Sequence, residues 1–242
     1  KVTFRTLMVA IGQAFFSIGI GMAALITFGS YLPREVSIPG SAVTVALADT
    51  GVAILAGFAI FPLVFQFNLP PSSGAGLIFT TLPIAFGQMA GGAVFGSIFF
   101  ILLMAAAMSS CIGCSEAVVS WVDEHWGIDR KKGIIYAAGA AWLVGLLSIG
   151  SLGNWSSYYP LDFIPAFEGK TIFDALDFLA ANILLLVGGL LVSVFVGWIV
   201  PRKLQSEEMD LGDGALFNLW RAMIRYVIPP VLVVAILLGI SE

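Results

Sequence analysis

The sequence predicts an all-helical integral membrane protein with six transmembrane helices, the first of them broken in mid-membrane. Four observations carry this. Of the 242 residues 59% are hydrophobic and only 11% charged, where a soluble domain carries about a quarter charged. Mean hydropathy is +1.01. Six apolar runs have the length of a membrane span, for which about 20 residues are needed. The first of these runs holds Gly12, Gln13, Ser17, Gly19 and Gly21 where a plain lipid-facing helix would carry Leu and Val.

Taken in order, the runs are Leu7–Tyr31, Ala42–Phe65, Ala93–Trp121, Gly133–Ile149, Phe178–Val200 and Ala222–Ile240. In the first, glycine disfavours helix and lets backbone approach a ligand closely. Freed backbone groups in hydrocarbon need partners, so a broken span points to a site it lines. The third run is the longest and ends in Asp123-Glu124-His125; the fourth is the shortest. Two connections are more than linkers. Residues 68–92 contain Pro70-Pro71-Ser72-Ser73-Gly74 and then turn apolar, which predicts a hairpin of short helices acting as an extracellular lid. Ser151–Thr171 is aromatic and polar, with Trp155, Tyr158, Tyr159 and Phe163. The acidic stretch Ser206–Gly214 reads as a solvated linker. The whole chain, 1–242, is read as a single transmembrane domain.

Basic residues set the orientation. Arg34, Arg130, Lys131, Lys132, Arg202 and Lys203 follow spans one, three and five, and Arg221 and Arg225 open span six. The opposite connections carry Lys1, Arg5 and Lys170. The positive-inside rule then puts the first group in the cytoplasm and both termini outside. An outside N-terminus with no signal segment predicts further chain upstream. A net charge of −4 without a basic patch gives no indication of nucleic acid. No nucleophile–base pair, phosphate loop or metal cluster suggests an enzyme. The two cysteines, Cys111 and Cys114, share one apolar run. Two ligands are too few for zinc, and packing is the better reading of this CxxC.

Gly12-Gln13-Ala14-Phe15-Phe16-Ser17 through Thr27-Phe28-Gly29-Ser30-Tyr31, Ala56-Gly57-Phe58-Ala59-Ile60-Phe61, Leu82-Pro83 with Gln88-Met89-Ala90-Gly91-Gly92, Ala106–Glu116 and Asp174–Phe178 together resemble the neurotransmitter:sodium symporter family, which includes the bacterial leucine transporter. The resemblance runs over nearly the whole chain. It implies helices six to eleven of an eleven-helix bacterial member: the second inverted repeat of a leucine-transporter-type fold plus one extra helix. Helices one to five would lie outside this chain.

The candidate sites follow, each with its plainer reading. Ala106, Ser109 and Ser110, at i, i+3 and i+4, share a helix face and offer a carbonyl and two hydroxyls, hard oxygen ligands suited to sodium. The resemblance makes them part of a second sodium site; the plain alternative is serines bonding their own backbone. Asp49 lies within span two, where a carboxylate near the bilayer centre costs about 2.5–3.5 kcal/mol. The resemblance pairs it with Ser17 as first sodium site; the alternative is an Asp at a helix end reached by water. Gln13 and Ala53 match the place of the family's chloride or its substitute glutamate. Asp49 already brings negative charge there, so chloride is expected not to be required.

Phe16, Gly19, Met22, Ser110 and Cys114 match the central substrate pocket, with Phe16 as its outer cap. Gly19 leaves room and Met22 offers a flexible apolar wall, which implies an apolar amino acid, bulky ones such as Leu, Phe and Trp included. Ordinary packing is the alternative for Phe16 and Met22. Asp177 resembles the acidic half of an external gate, and Asp123 and Tyr31 a cytoplasmic gate. Glu116 reads as a structural acid, with proton coupling a lesser option. His125 reads as solvated.

The expected function is therefore sodium-coupled symport of an apolar amino acid across the cytoplasmic membrane by alternating access, with this chain a partial protein. The implied partners are the amino acid, two sodium ions, the lipid bilayer and helices one to five. The competing reading is a non-transporting membrane protein that acts as structural or regulatory partner, or one chain of a split transporter.

Overall fold

The computed structural model describes residues 3–69, 71, 74–210, 212 and 214–240. Lys1 of the charge argument, Pro70, Ser72 and Ser73 of the lid and Leu211 and Asp213 of the acidic linker lie outside the described residues. Helices follow one another as α1 (Phe4–Ile18), α2 (Ala24–Ser30), α3 (Ile38–Gln66), α4 (Gly74–Gln88), α5 (Gly92–Trp126), α6 (Arg130–Ser151), α7 (Ile172–Ile199), α8 (Arg202–Met209) and α9 (Ala215–Ile240). Every described regular element is helical.

Five of these helices, α3, α5, α6, α7 and α9, are long and apolar enough to cross a membrane. The first apolar run is divided between the 15-residue α1 and the 7-residue α2. Neither half crosses by itself at 1.5 Å per residue. The helices also extend past the apolar runs: α7 starts at Ile172, six residues before Phe178, because Thr171 and Asp174 form a reciprocal capping box there. Four π-helical segments occur among the described residues, Leu77–Thr81, Leu179–Leu184, Phe195–Ile199 and Met223–Val227. Hydropathy carries no trace of them. Residues 74–88 form one helical run through such a segment rather than two short helices.

The chain divides into two compact units, Lys1–Ser41 with Cys114–Glu242, and Ala42–Gly113. In the first, Leu186, Leu232 and Ala235 form a buried cluster against Phe15, Leu190, Ile228 and Ile236, joining α1, α7 and α9. In lipid no hydrophobic force drives helices together, so their association rests on close packing and on small residues that allow it. Ser151 shows how backbone groups are satisfied at a helix junction. Its buried hydroxyl donates to the Ser148 carbonyl at 2.7 Å and accepts from the Phe173 N–H at 3.0 Å, tying the end of α6 to the start of α7. Gln205 of α8 likewise donates to the Val196 and Val200 carbonyls at the end of α7, groups that a helix terminus leaves without intrahelical partners. In the second unit, Gly92 sits so close to the Phe86 carbonyl that a Cβ would stand 1.6 Å from its oxygen. Glycine is what lets α4 turn tightly into α5.

Candidate functional site

α1 ends because Gly19 adopts φ 76°, a left-handed conformation that costs glycine nothing. The Gly19 N–H donates to the Phe15 carbonyl at 3.0 Å, and the Ile20 N–H to the same oxygen at 3.1 Å. This satisfies carbonyls at the end of the half-helix, as a glycine C-cap does. Gly21 follows at φ 95° and Ala23 at φ 61°, and α2 begins one residue later. The break predicted within the first apolar run thus occupies residues 19–23.

Gly21 approaches a helix closely. A Cβ on it would lie 2.4 Å from the Leu185 carbonyl oxygen and 2.7 Å from the Gly189 nitrogen, and a Cβ on Gly188 would lie 2.4 Å from the Gly21 oxygen. Gly189 in turn receives the Phe15 ring, 2.8 Å from where its Cβ would be. The hinge is therefore seated backbone to backbone on the Gly188–Gly189 pair of α7. A glycine in a broken span suggests close approach of a ligand; at Gly21 the close neighbour is protein. The α7 glycines were missed, and their adjacency within an apolar run was the available signal.

Around the break, Phe16 and Met22 are exposed, and Met22 Sδ lies 4.0 Å from Cys114 Sγ of α5. Of the expected pocket residues, then, Met22 and Cys114 meet. Both cysteines are free thiols. Phe16 and Gln13 line, with Met8, Asn182 and Gly239 among others, a cavity of about 210 Å³ between α1, α7 and α9. Asn182 was not singled out from the sequence. Ser17 belongs to the first unit and carries an interaction of its own.

Asp49 lies in the middle of α3, half-buried and partnered, in the second unit. Ala53, one turn on, is exposed. Ser109 donates its hydroxyl proton to the Ala106 carbonyl at 2.8 Å, so two of the expected second-site oxygens are neighbours on α5. This contact is also the plain backbone bond that a helical serine makes. Ser110 is exposed on the same helix.

The expected gate residues are arranged differently. Tyr31, just past α2, donates its hydroxyl to Glu116 Oε1 at 2.7 Å and lies 2.9 Å from Ser120 Oγ. Arg130 closes the cluster, one guanidinium nitrogen reaching Glu116 Oε1 at 2.7 Å and Oε2 at 2.8 Å. Glu116, 18% exposed against 49% for Arg130, is thus the acid that Tyr31 meets. Asp123 is half-buried further along α5. Arg130 can return to Glu116 because Gly127 turns the chain at φ 61° and Asp129 caps α6, accepting from the Lys131 N–H. Asp177 is exposed near the start of α7.

Comparison with known proteins identifies the family. The model of the sodium:neurotransmitter symporter family matches residues 5–242. The uncharacterized sodium-dependent transporter YhdH of Bacillus subtilis (strain 168) is 34% identical over 97% of this chain and 51% of its own length. An uncharacterized sodium-dependent transporter of Haemophilus influenzae is 31% identical over 97% and 50%. The crystal structure of MhsT in complex with L-phenylalanine superposes with a TM-score of 0.84 at 37% identity, over 97% of this chain and 52% of that one. The chain spans about half the length of the relatives it matches. Its broken first helix, its five long apolar helices and this match along nearly its entire length make it a membrane protein of the sodium:neurotransmitter symporter family.

Proposed function

We propose that this chain forms half of a sodium-coupled symporter for an apolar amino acid. The single observation that carries the reading is the helix break at residues 19–23, bordered by the exposed Phe16 and by the Met22–Cys114 contact. A break of this kind in an apolar run gives a substrate backbone groups and an apolar wall at the membrane midplane. Phe16, Gly19, Met22, Ser110 and Cys114 form this chain's share of the substrate pocket. MhsT, solved with L-phenylalanine, supports a substrate of that class and size.

Asp49 and Ser17 supply the first sodium site, and the Ala106 carbonyl with the Ser109 and Ser110 hydroxyls the second. The remaining ligands come from outside this chain. Gln13 and Ala53 border the anion region, where Asp49 takes the place of chloride. Tyr31, Glu116 and Arg130 hold the cytoplasmic end closed, with Asp123 nearby in sequence, and Asp177 belongs to the external gate. Sodium and substrate each raise the other's affinity by the same factor. The second inverted repeat, in the cytoplasmic membrane with its basic loops inside, then rocks against the first.

The test is sodium-gradient-driven uptake of labelled leucine, phenylalanine and tryptophan by the full-length protein in proteoliposomes. The reading expects uptake that collapses without the gradient and is competed by bulky apolar amino acids. Competition dominated by glycine and alanine would sink the substrate assignment. Absence of any uptake would favour a non-transporting partner.

A further inference from the structure

A second cavity, of about 200 Å³, lies where α7 ends and α9 begins, lined by Arg202, Asn218, Arg221, Ala222, Arg225 and Tyr226. Three of the six lining residues are arginines, and among the described lining residues none is acidic. Arginine carries its charge at any working pH, and its five N–H groups match carboxylate and phosphate oxygens.

The arginines are held in place. The Arg225 guanidinium lies 5.3 Å from the Trp198 ring centre and 5.7 Å from that of Tyr226, and Arg202 lies 5.5 Å from Phe217. Such contacts fix a cation without neutralising it. Arg202 also donates to Asn218 Oδ1 at 2.7 Å. The Nε atoms of Arg221 and Arg225 are buried without a hydrogen-bond partner, and an unmet donor on a charged group is costly. Two π-helical segments meet here, Phe195–Ile199 and Met223–Val227. Ser193 donates to the Ile224 carbonyl at 2.7 Å, and Gly197 packs on the Arg225 backbone. The geometry that turns these arginines into one cavity is therefore built by two helix irregularities, a feature frequent at functional sites.

We infer that this cavity binds the phosphate headgroup of an anionic phospholipid. A phosphate brings several acceptor oxygens at once, enough to meet donors from more than one arginine and to relieve their mutual repulsion. The position selects lipid over free phosphate. Arg202 comes three residues after the end of the apolar α7, and Arg221 and Arg225 lie in the first three turns of α9. Trp198 and Tyr226 are exposed, as aromatic residues at a membrane–water boundary are. The apolar Ile199 and Leu219, both more than 60% exposed, flank the cavity in sequence and offer a surface for acyl chains. Basic pockets between spans on the cytoplasmic side suit anionic headgroups, and this is the side to which Arg202, Lys203, Arg221 and Arg225 assign this end of the molecule.

The experiment is native mass spectrometry of the full-length protein titrated with phosphatidylglycerol, with phosphatidylcholine of the same chains and with inorganic phosphate. Phosphatidylglycerol should be retained preferentially, and Arg221→Gln with Arg225→Gln should weaken that preference by about fivefold per arginine. Lys131→Gln with Lys132→Gln removes equal charge from the same side and should leave it unchanged. A preference that survives the arginine variant, or that falls equally in the lysine variant, would overturn the inference. Inorganic phosphate held as well as the lipid would overturn it in favour of a free-anion site. No lipid preference in the unaltered protein would likewise overturn the inference. Should the arginine variant not fold, photoactivatable phosphatidylglycerol on the unaltered protein decides: cross-links in 198–202 and 218–226 support the site, and cross-links elsewhere refute it.

Discussion

α1–α2 and α3 carry the same kind of irregularity in sequence, small or polar residues inside an apolar run, and the structure treats them oppositely. Gly21 is pressed between Leu185 and Gly189, and Phe15 fills the space over Gly189. Packing within the chain thus accounts for Gly21, while Gly12 meets nothing within 4 Å. Asp49 sits on a helix whose apolar stretch has 0% of its residues buried, against 22% for α7. Its neighbours Gly51 and Gly57 meet no close backbone. Identical residue types therefore have two meanings. In the first unit they let helices touch, as small residues do in membranes. In the second they lie on a helix that packs little within this chain.

The sharpest way to break this comparison is Gly21→Ala. The added methyl meets backbone at 2.4 Å at φ 95°, so overpacking and the left-handed conformation together should cost about 2–5 kcal/mol. Gly29→Ala, with open space around it, should be neutral or gain up to about 1 kcal/mol of helix propensity. Thermal unfolding in detergent reads both, and equal melting of the two variants would remove the packing account of the hinge. Next comes Asp49→Ala, expected to leave melting nearly unchanged while lowering sodium-driven uptake at least about tenfold, the loss of 1.4 kcal/mol or more. If Asp49→Ala melted like Gly21→Ala, the acid would be structural and the contrast between the two units would fail. Tyr31→Phe deletes a hydrogen bond to the charged Glu116 and should cost about 1.5 kcal/mol, the low end for such a bond because Arg130 and Ser120 still partner the acid, read as a melting shift smaller than that of Gly21→Ala. The smallest expected effect is on replacing chloride by gluconate: uptake should hold if, as proposed, Asp49 takes the place of the anion.

Much of this was legible in the sequence. Runs two, three, four and six lie within observed helices, run five passes the end of α7 by one residue, and the glycine-rich first run contains the break. Local chemistry is readable when its partners are close, as with the capping box of Thr171 and Asp174. The seat of Gly21 was not readable, because Gly188 is brought to it by packing at long range. Arg130 was read for its charge alone. Its partner Glu116 lies 14 residues back, on another helix across the turn at Gly127, a pairing that no single-helix spacing announces. The π-helical segments that assemble the arginine cavity leave the apolar pattern intact, so hydropathy could not report them. Ala106 and Ser109 were placed on one face by helical spacing, and their 2.8 Å contact follows from that spacing.

The most direct test of the central claim is equilibrium binding of labelled phenylalanine to the purified full-length protein at rising sodium, with potassium holding ionic strength constant. The account predicts affinity that climbs with sodium, and a climb that Asp49→Ala or Ser110→Ala flattens. Phenylalanine binding that is equally tight in sodium and in potassium would contradict it.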